Sequence, residues 1–177
     1  ISMNKSILVT GGTGFIGSHT CVVLFDAGYD VIVLDNLCNS EASVIGRIVQ
    51  ICGREPVFIE GDIRDAELLE NLFAEHPISA VLHFAGLKAV GESVNKPQEY
   101  YDNNVAGTSV LLSAMQNADV KTIVFSSSAT VYGEPASVPI TEDFPRSATN
   151  PYGENKLQIE DILAELYISS PGWRIAR

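Results

Sequence analysis

The stretch VTGGTGFIGSH (residues 9–19) restricts the fold of this chain more than any other part of it. Gly11, Gly14 and Gly17 recur every third residue, and Gly12, Gly14 and Gly17 also satisfy G-x-G-x-x-G. A short apolar run, SILVT (6–10), leads into the glycines. FIGSHTCVVLFDAG (15–28) follows with helical period and stops at Gly28, placed as the residue just past a helix end. The next apolar run, DVIVLD (30–35), closes on an acid, Asp35, 18 residues beyond Gly17. Strand, glycine turn, helix and strand-ending acid together form the pattern of a dinucleotide site. Glycines allow the tight turn and let the backbone approach a pyrophosphate. The orphan N–H groups and dipole of the following helix then favour its charge.

The same alternation continues along the chain. Residues 41–53 read as a helix, PVFIEGD (56–62) as a strand and DAELLENLFAEH (65–76) as an amphipathic helix with Asp65 as N-cap. SAVLHFAG (79–86) is a strand, about 98–117 a helix and KTIVFSSS (121–128) a strand. A Pro-, Ser- and Thr-rich loop covers 129–150. A second long helix then runs from about Pro151, at N1, to Tyr167, and GWRIAR (172–177) begins another strand. The strands are continuous apolar runs, as expected of strands buried on both faces. With βαβα order they predict an α/β fold, a Rossmann-type doubly wound parallel sheet with helices on both faces. The expectation is one NAD-binding domain over residues 1–177. Because the last strand is barely begun at Arg177, a truncated chain without its C-terminal substrate domain is also expected.

Composition limits the partners. The formal net charge is −11, which argues against nucleic acid, since a phosphate-backbone binder needs a basic patch. No apolar run reaches the ~20 residues that span a bilayer, so no membrane partner is expected. Cys21, Cys38 and Cys52 form neither a disulfide framework nor a Cys-x-x-Cys pair. They read as reduced, and the compartment as cytoplasmic. Ile1-Ser2 ahead of Met3 reads as a cloning remnant with no signal peptide.

In open α/β sheets, ligands bind beyond the carboxyl ends of the strands. There lie the glycine turn, then Asp35, then Asp62, then HFAG (83–86), then Ser126, Ser127 and Ser128. Asp35 is suited to accept from an adenosine ribose. No Lys or Arg occurs in 36–43 to offset a 2′-phosphate, so NAD is expected over NADP. Asp62 could meet an adenine amino group, or cap a helix as readily. Tyr152 and Lys156, four apart on the next helix, are surface neighbours at the same edge. A phenol, with an ordinary pKa of ~10, is a poor base at pH 7. Bringing one to ~7 takes about 4 kcal/mol of phenolate stabilisation, which a nearby ammonium in a sheltered site helps supply. His19 and His83 are expected to pack rather than ligate. Without a His/Cys/Asp cluster no metal site is expected.

These motifs resemble the extended branch of the short-chain dehydrogenase/reductase superfamily over essentially the whole chain. More narrowly they resemble the UDP-glucose 4-epimerase family. VTGGTGFIGSHT (9–20) and NPYGENK (150–156) belong to the superfamily at large. EGDIRD (60–65), YYDNNVAGT (100–108) and FSSSATVYG (125–133) add to the match, and LDNLCNS (34–40) and HFAGLKAVGESV (83–94) are more particular to the epimerases. The resemblance implies Tyr152 as acid/base, Lys156 as its electrostatic partner and Ser128 as a hydrogen-bonding partner of the reacting hydroxyl. It implies NAD as a retained cofactor that takes hydride from C4 of a UDP-sugar, UDP-glucose or UDP-galactose, and returns it to the other face. Phe15, Ile16, Asn36, Leu37, Cys38, Asn39 and Ser40 would line that cofactor, with Asp62 and Ile63. Phe84, Ala85, Gly86, Leu87, Lys88, Asn103 and Ser126 complete the set. Lys88, Ser128 and Tyr152 would also meet substrate.

The resemblance further implies a homodimer packed through the helices at about 98–117 and 151–168. Val105, Val110, Leu111, Leu157, Ile159, Ile162 and Leu166 either serve that packing or bury into the sheet layer. Sister 4,6-dehydratases carry an Asp-Glu pair before the Val-Tyr-Gly. Ala129 and Thr130 stand there, which argues against dehydration. An epimerase of UDP-glucuronate or UDP-N-acetylhexosamines remains open, as does a catalytically silent NAD-binding fragment or sensor.

Overall fold

Successive apolar side chains of a strand point to opposite faces, so an all-apolar strand needs cover on both. The computed structural model, which describes residues 6–177, supplies it. Ile1-Ser2-Met3 and the remnant reading attached to them lie outside the described residues. Six strands, β1 (Ser6–Thr10), β2 (Asp30–Asp35), β3 (Val57–Glu60), β4 (Ile78–His83), β5 (Thr122–Phe125) and β6 (Arg174–Ala176), form one sheet in the order 3-2-1-4-5-6. Every pairing is parallel. On one face Ile7, Val9, Val31 and Val33 pack with Cys21, Phe25 and Ile48 of helices α1 (Phe15–Asp26) and α2 (Ser43–Cys52). On the other, Leu8, Ile32, Leu34, Val81, Ile123 and Phe125 pack against α3 (Ala66–Glu75) and, further along the chain, two long helices. Each fully buried Leu or Ile contributes roughly 1.5–3 kcal/mol, so these two layers carry the stability of the fold.

Between β4 and β5 the chain forms α4 (Val90–Asn95), α5 (Pro97–Tyr101), a π turn (Asp102–Ala106) and α6 (Gly107–Asn117). After β5 come a 3₁₀ turn (Ala129–Tyr132) and α7 (Pro151–Ser169). The expected helix over about 98–117 is therefore interrupted by one wide turn, and α4 lies ahead of it. Local capping follows the sequence closely. The Leu68 N–H donates to Asp65 Oδ1 at 3.0 Å at the start of α3. The Gly153 N–H donates to Asn150 Oδ1 at 2.8 Å, with Pro151 in the first turn of α7. At the end of α1 the Gly28 N–H reaches Phe25 O and the Tyr29 N–H reaches Leu24 O, both at 3.0 Å. Gly28 has φ +86°, which only glycine adopts without strain, and the paired bonds satisfy the last carbonyls.

The apolar residues of the two long helices divide unevenly. Val105, Leu111 and Ile159 lie inside the core, and Val110, Ile162 and Leu166 pack against it while half-buried. Leu157 is half-buried. The sheet layer thus takes three of the seven fully, and four keep part of their surface exposed. All three cysteines are free thiols, and burial pushes Cys21 up to about 12. Among the described residues no helix is long and apolar enough to cross a membrane.

Strand order places the site. From β1 one connection leads to β2 and another element returns to β4 on the opposite side, so the flanking chains diverge and leave a crevice beyond the carboxyl end of β1. The register brings Thr10 beside Leu34 and His83, and His83 beside Phe125, which lines up these strand ends.

Candidate active site

An open cleft of about 340 Å³ lies over these strand ends. All the residues named above for cofactor, substrate or catalysis line it except Leu37, Asp62 and Ser128. Leu34, Gly61 and Ser127 line it in addition.

The glycine turn is built for close approach. Gly11 has φ +69°, and a Cβ there would lie 2.7 Å from the Ala85 nitrogen. A Cβ on Gly17 would lie 2.2 Å from Gly11 O. The turn therefore closes on itself and on the β4 exit, leaving room only for hydrogen. Gly14 caps α1 without any side chain, so the first N–H groups of that helix stay available to an acceptor. Phe15 is 75% exposed and Ile16 55%, at the cleft wall.

Asp35 sits at the end of β2, nearly buried. Its Oδ2 accepts the Thr13 N–H at 3.1 Å, and its Oδ1 accepts the Leu37 N–H at 2.9 Å and the Ser40 hydroxyl at 3.2 Å. A carboxylate offers about four acceptor positions, so Asp35 holds the glycine turn and the 36–40 loop together while keeping a position for a ligand hydroxyl. Leu37, at φ +58°, is not on the cleft lining, and its backbone N–H serves Asp35.

Asp62 stands just off the cleft lining, between the lining residues Gly61 and Ile63. Arg64 grips it with a two-point fork, Nε to Oδ1 at 2.9 Å and Nη2 to Oδ2 at 2.8 Å, and adds its own backbone N–H. Asn36 donates to Oδ2 at 3.0 Å. Hydrogen bonds from Arg64 hold the carboxyl well below the usual range. Asp62 is thus a clamp between β3's exit and the 36–40 loop, while its neighbours Gly61 and Ile63 form the wall. Ser128 likewise stands at the edge of the lining. It caps the 3₁₀ turn, accepting from the Thr130 hydroxyl at 3.0 Å and the Thr130 N–H at 3.3 Å. Its side chain is half-buried beside the cleft rather than on its lining.

Tyr152 and Lys156 stand on the first turns of α7 and both line the cleft. Lys156 Nζ lies 5.8 Å from the Tyr152 ring centroid and 4.7 Å from that of Phe125. It donates to Ser126 O at 2.8 Å and has no carboxylate within 4 Å among the described residues. Lys156 is 7% exposed, and this burial brings its ammonium down to about 8. An ammonium so placed keeps a positive field beside the phenol in a medium that screens it weakly.

His83 packs rather than ligates. The Thr108 hydroxyl donates to Asn104 O at 2.6 Å, so His83 Nε2–H donates to Thr108 Oγ1 at 2.8 Å and Nδ1 accepts from Thr10 at 2.6 Å. Burial first, and the Lys156 charge second, hold the ring down at about 3 and hence neutral. His19 is exposed and bonds back to Phe15 O on its own helix.

Three residues escaped the sequence reading. Asn104, next to the cleft-lining Asn103, is buried and accepts the Leu87 N–H at 2.8 Å while donating to Leu87 O at 2.9 Å, locking the 84–88 loop. Ser93 of α4, fully buried, accepts the Tyr152 N–H at 3.2 Å. Glu160 is buried one turn beyond Lys156. A second Asn in YYDNN and an acid at helical spacing from Lys156 were the available signals.

A glycine cradle with free helix-end N–H groups, a strand-end carboxylate and a cleft leading to a phenol and an ammonium fit a dinucleotide. A family model described as GDP-mannose 4,6 dehydratase matches residues 8–174. A UDP-glucose 4-epimerase of Yersinia pestis is 58% identical over 170 residues, which are 96% of this chain and 50% of that protein. One from Bacillus subtilis (strain 168) is 56% identical over 171 residues, 97% and 50% of the two chains. The solved UDP-glucose 4-epimerase from Bifidobacterium longum, in complex with NAD+ and UDP, superposes with a TM-score of 0.95 at 53% identity, covering 97% of this chain and 51% of that one. The chain spans about half the length of the curated relatives it matches.

Proposed function

Because the chain belongs to the GDP-mannose 4,6 dehydratase family, within the extended short-chain dehydrogenase/reductases, we propose that it is the NAD-binding half of a UDP-glucose 4-epimerase acting on UDP-glucose and UDP-galactose. The observation that carries this is the buried Lys156 ammonium beside Tyr152 in a cleft that continues from the glycine turn. The likeness to UDP-glucose 4-epimerases at 56–58% identity supports the substrate class. Residues Ser126 to Gly133 include no carboxylate, so the acid and base that dehydration requires are lacking.

Gly11, Gly14 and Gly17 with the N-terminus of α1 would hold the NAD pyrophosphate, Asp35 the adenosine ribose, and Lys156 the nicotinamide ribose. Bound NAD would supply reversible hydride acceptance at sugar C4. Tyr152 takes the proton of the 4-hydroxyl and later returns it to the oxygen on the other face. The Lys156 charge stabilises the phenolate form between those events. Ser128 is within one residue of the cleft-lining Ser127 and orients the reacting hydroxyl. Lys88, exposed at the cleft mouth, meets phosphate charge. In this reading residues 1–177 are one domain of a cytoplasmic protein, a compartment consistent with three free thiols. A homodimer through α6 and α7 would use the half-buried Val110, Leu157, Ile162 and Leu166, and sedimentation of the protein tests it.

NAD affinity of this chain, together with interconversion of UDP-glucose and UDP-galactose by the longer protein that includes it, tests the reading. Wild type should interconvert the sugars, and Tyr152→Phe should lose at least ~100-fold in rate. Near wild-type turnover by Tyr152→Phe would refute the role of the phenol. The 177-residue chain alone should bind NAD and turn over little substrate.

A further inference from the structure

Glu160 is a buried carboxylate that the proposed chemistry leaves without a task. On α7 the positions 152, 156 and 160 recur at i, i+4 and i+8, so they form one stripe along a helix face. Glu160 Oε1 accepts the Ser127 hydroxyl at 2.6 Å, and Oε2 accepts Arg146 Nη1 at 3.0 Å. Its own backbone carbonyl accepts Arg177 Nη1 at 2.8 Å. The side chain is only 10% exposed. A hydroxyl donating to a carboxylate at that length is among the stronger protein hydrogen bonds, and Arg146 balances a charge that would be costly alone.

The geometry matters because of what adjoins Ser127. The peptide joining Ser126 to Ser127 carries the carbonyl that receives Lys156 Nζ at 2.8 Å. Helix α7 therefore grips this peptide twice, its carbonyl through Lys156 and its next side chain through Glu160. Arg146 also reaches Asp161 Oδ1 at 3.0 Å, which ties the 134–150 loop to the same helix turn.

We infer that Glu160 is a positioning residue: through Ser127 it fixes the Ser126 carbonyl under the Lys156 ammonium and so sets where that ammonium stands beside Tyr152. Its bearing on catalysis rests on the function proposed above. The titratable groups around Lys156 are His83 on β4, Tyr152 on its own helix and Glu160 one turn on.

The test follows the titration of Lys156 by NMR in chain labelled with ¹³C-lysine, the signal being identified by its loss in Lys156→Met. Wild type should titrate at about 8. Ser127→Ala keeps the Glu160 charge but removes the tether, and should lower the midpoint by ~1 unit, because a held carbonyl favours the charged form. Ser127→Thr keeps the hydroxyl and should restore the wild-type value. Glu160→Gln should fall at least as far as Ser127→Ala. An unchanged midpoint in Ser127→Ala, or an equal fall in Ser127→Thr, overturns the inference. So does a fall confined to Glu160→Gln, which would mark a charge acting through space. Should Glu160→Gln not fold, the Ser127 pair decides. NAD affinity of the same wild-type sample is the separate check: its absence would sink the proposed function and leave the Lys156 comparison to judge this one.

Discussion

Replacing Lys156 by Met should make the ligand-free protein more stable while removing its function. The lysine is buried beside Phe125 and Tyr152 with one carbonyl as partner, and its ammonium titrates at about 8 instead of 10.5. The difference of roughly 2.5 units corresponds to about 3 kcal/mol at ~1.36 kcal/mol per unit. Below pH 8 both folded and unfolded chains carry the proton, and the folded state bears the whole cost. Between pH 8 and 10.5 the folded state sheds it first, so stability rises with pH. Methionine has a similar length and helix propensity and no charge to desolvate. Loss of the Ser126 hydrogen bond and the ring contacts offsets about 1–2 kcal/mol. Lys156→Met should therefore be more stable at pH 7 by about 1–2 kcal/mol, and its advantage should shrink by about 2 kcal/mol at pH 10. Urea unfolding followed by fluorescence of the single, buried Trp173 measures this at both pH values. Comparing two proteins cancels the other groups that titrate there. A variant less stable than wild type at pH 7, or a difference independent of pH, would refute the claim that Lys156 is held charged against its surroundings.

Gly17→Ala places a Cβ 2.2 Å from Gly11 O and 2.8 Å from Gly12 Cα; it should cost ~2 kcal/mol or more in urea unfolding and at least ~10-fold in NAD affinity by calorimetry. Asp35→Ala removes a carboxylate that holds Thr13, Leu37 and Ser40, so NAD should bind at least ~10-fold more weakly and the preference for NAD over NADP should narrow; an undiminished ratio in competition binding would contradict the assignment. Ser93→Ala leaves the Tyr152 N–H without its acceptor, and should lower stability by ~1 kcal/mol and Tm by ~3 °C. Unchanged melting would mean that α4 does not anchor the start of α7.

Much of the fold was readable because its signals are local. The spacing of Gly11, Gly14 and Gly17, the acid at Asp35, the Asp65 cap and the Pro151 start each depend on a few neighbouring residues, and each stands where the pattern placed it. Helix α4 has only six residues, too few for a period to show, so Ser93 went unnoticed. For Asp62 the sequence offers an adenine contact and a helix cap about equally. Nothing in GDIRD says that Arg64 folds back to occupy both its oxygens, since that depends on how the turn closes. The partnership of Ser127 with Glu160, 33 positions apart, exists only once β5 and α7 are packed. Side-chain networks of this kind follow from the assembled tertiary structure.

The π turn at Asp102–Ala106 adds a residue to a helix without breaking the face that the helix presents to the core. One residue more than an α-helical turn holds is accommodated there, which lets Asn103 face the cleft while its neighbour Asn104 clasps Leu87 from inside. Removing one residue of the five would let this turn close as a regular α-helical one with its flanks still in phase. Tyr100, Thr108 and Met115, all buried, would keep their places in the core. What would be lost is the bulge, and with it the division of labour between two adjacent asparagines, one on the cleft and one on the loop that forms its wall.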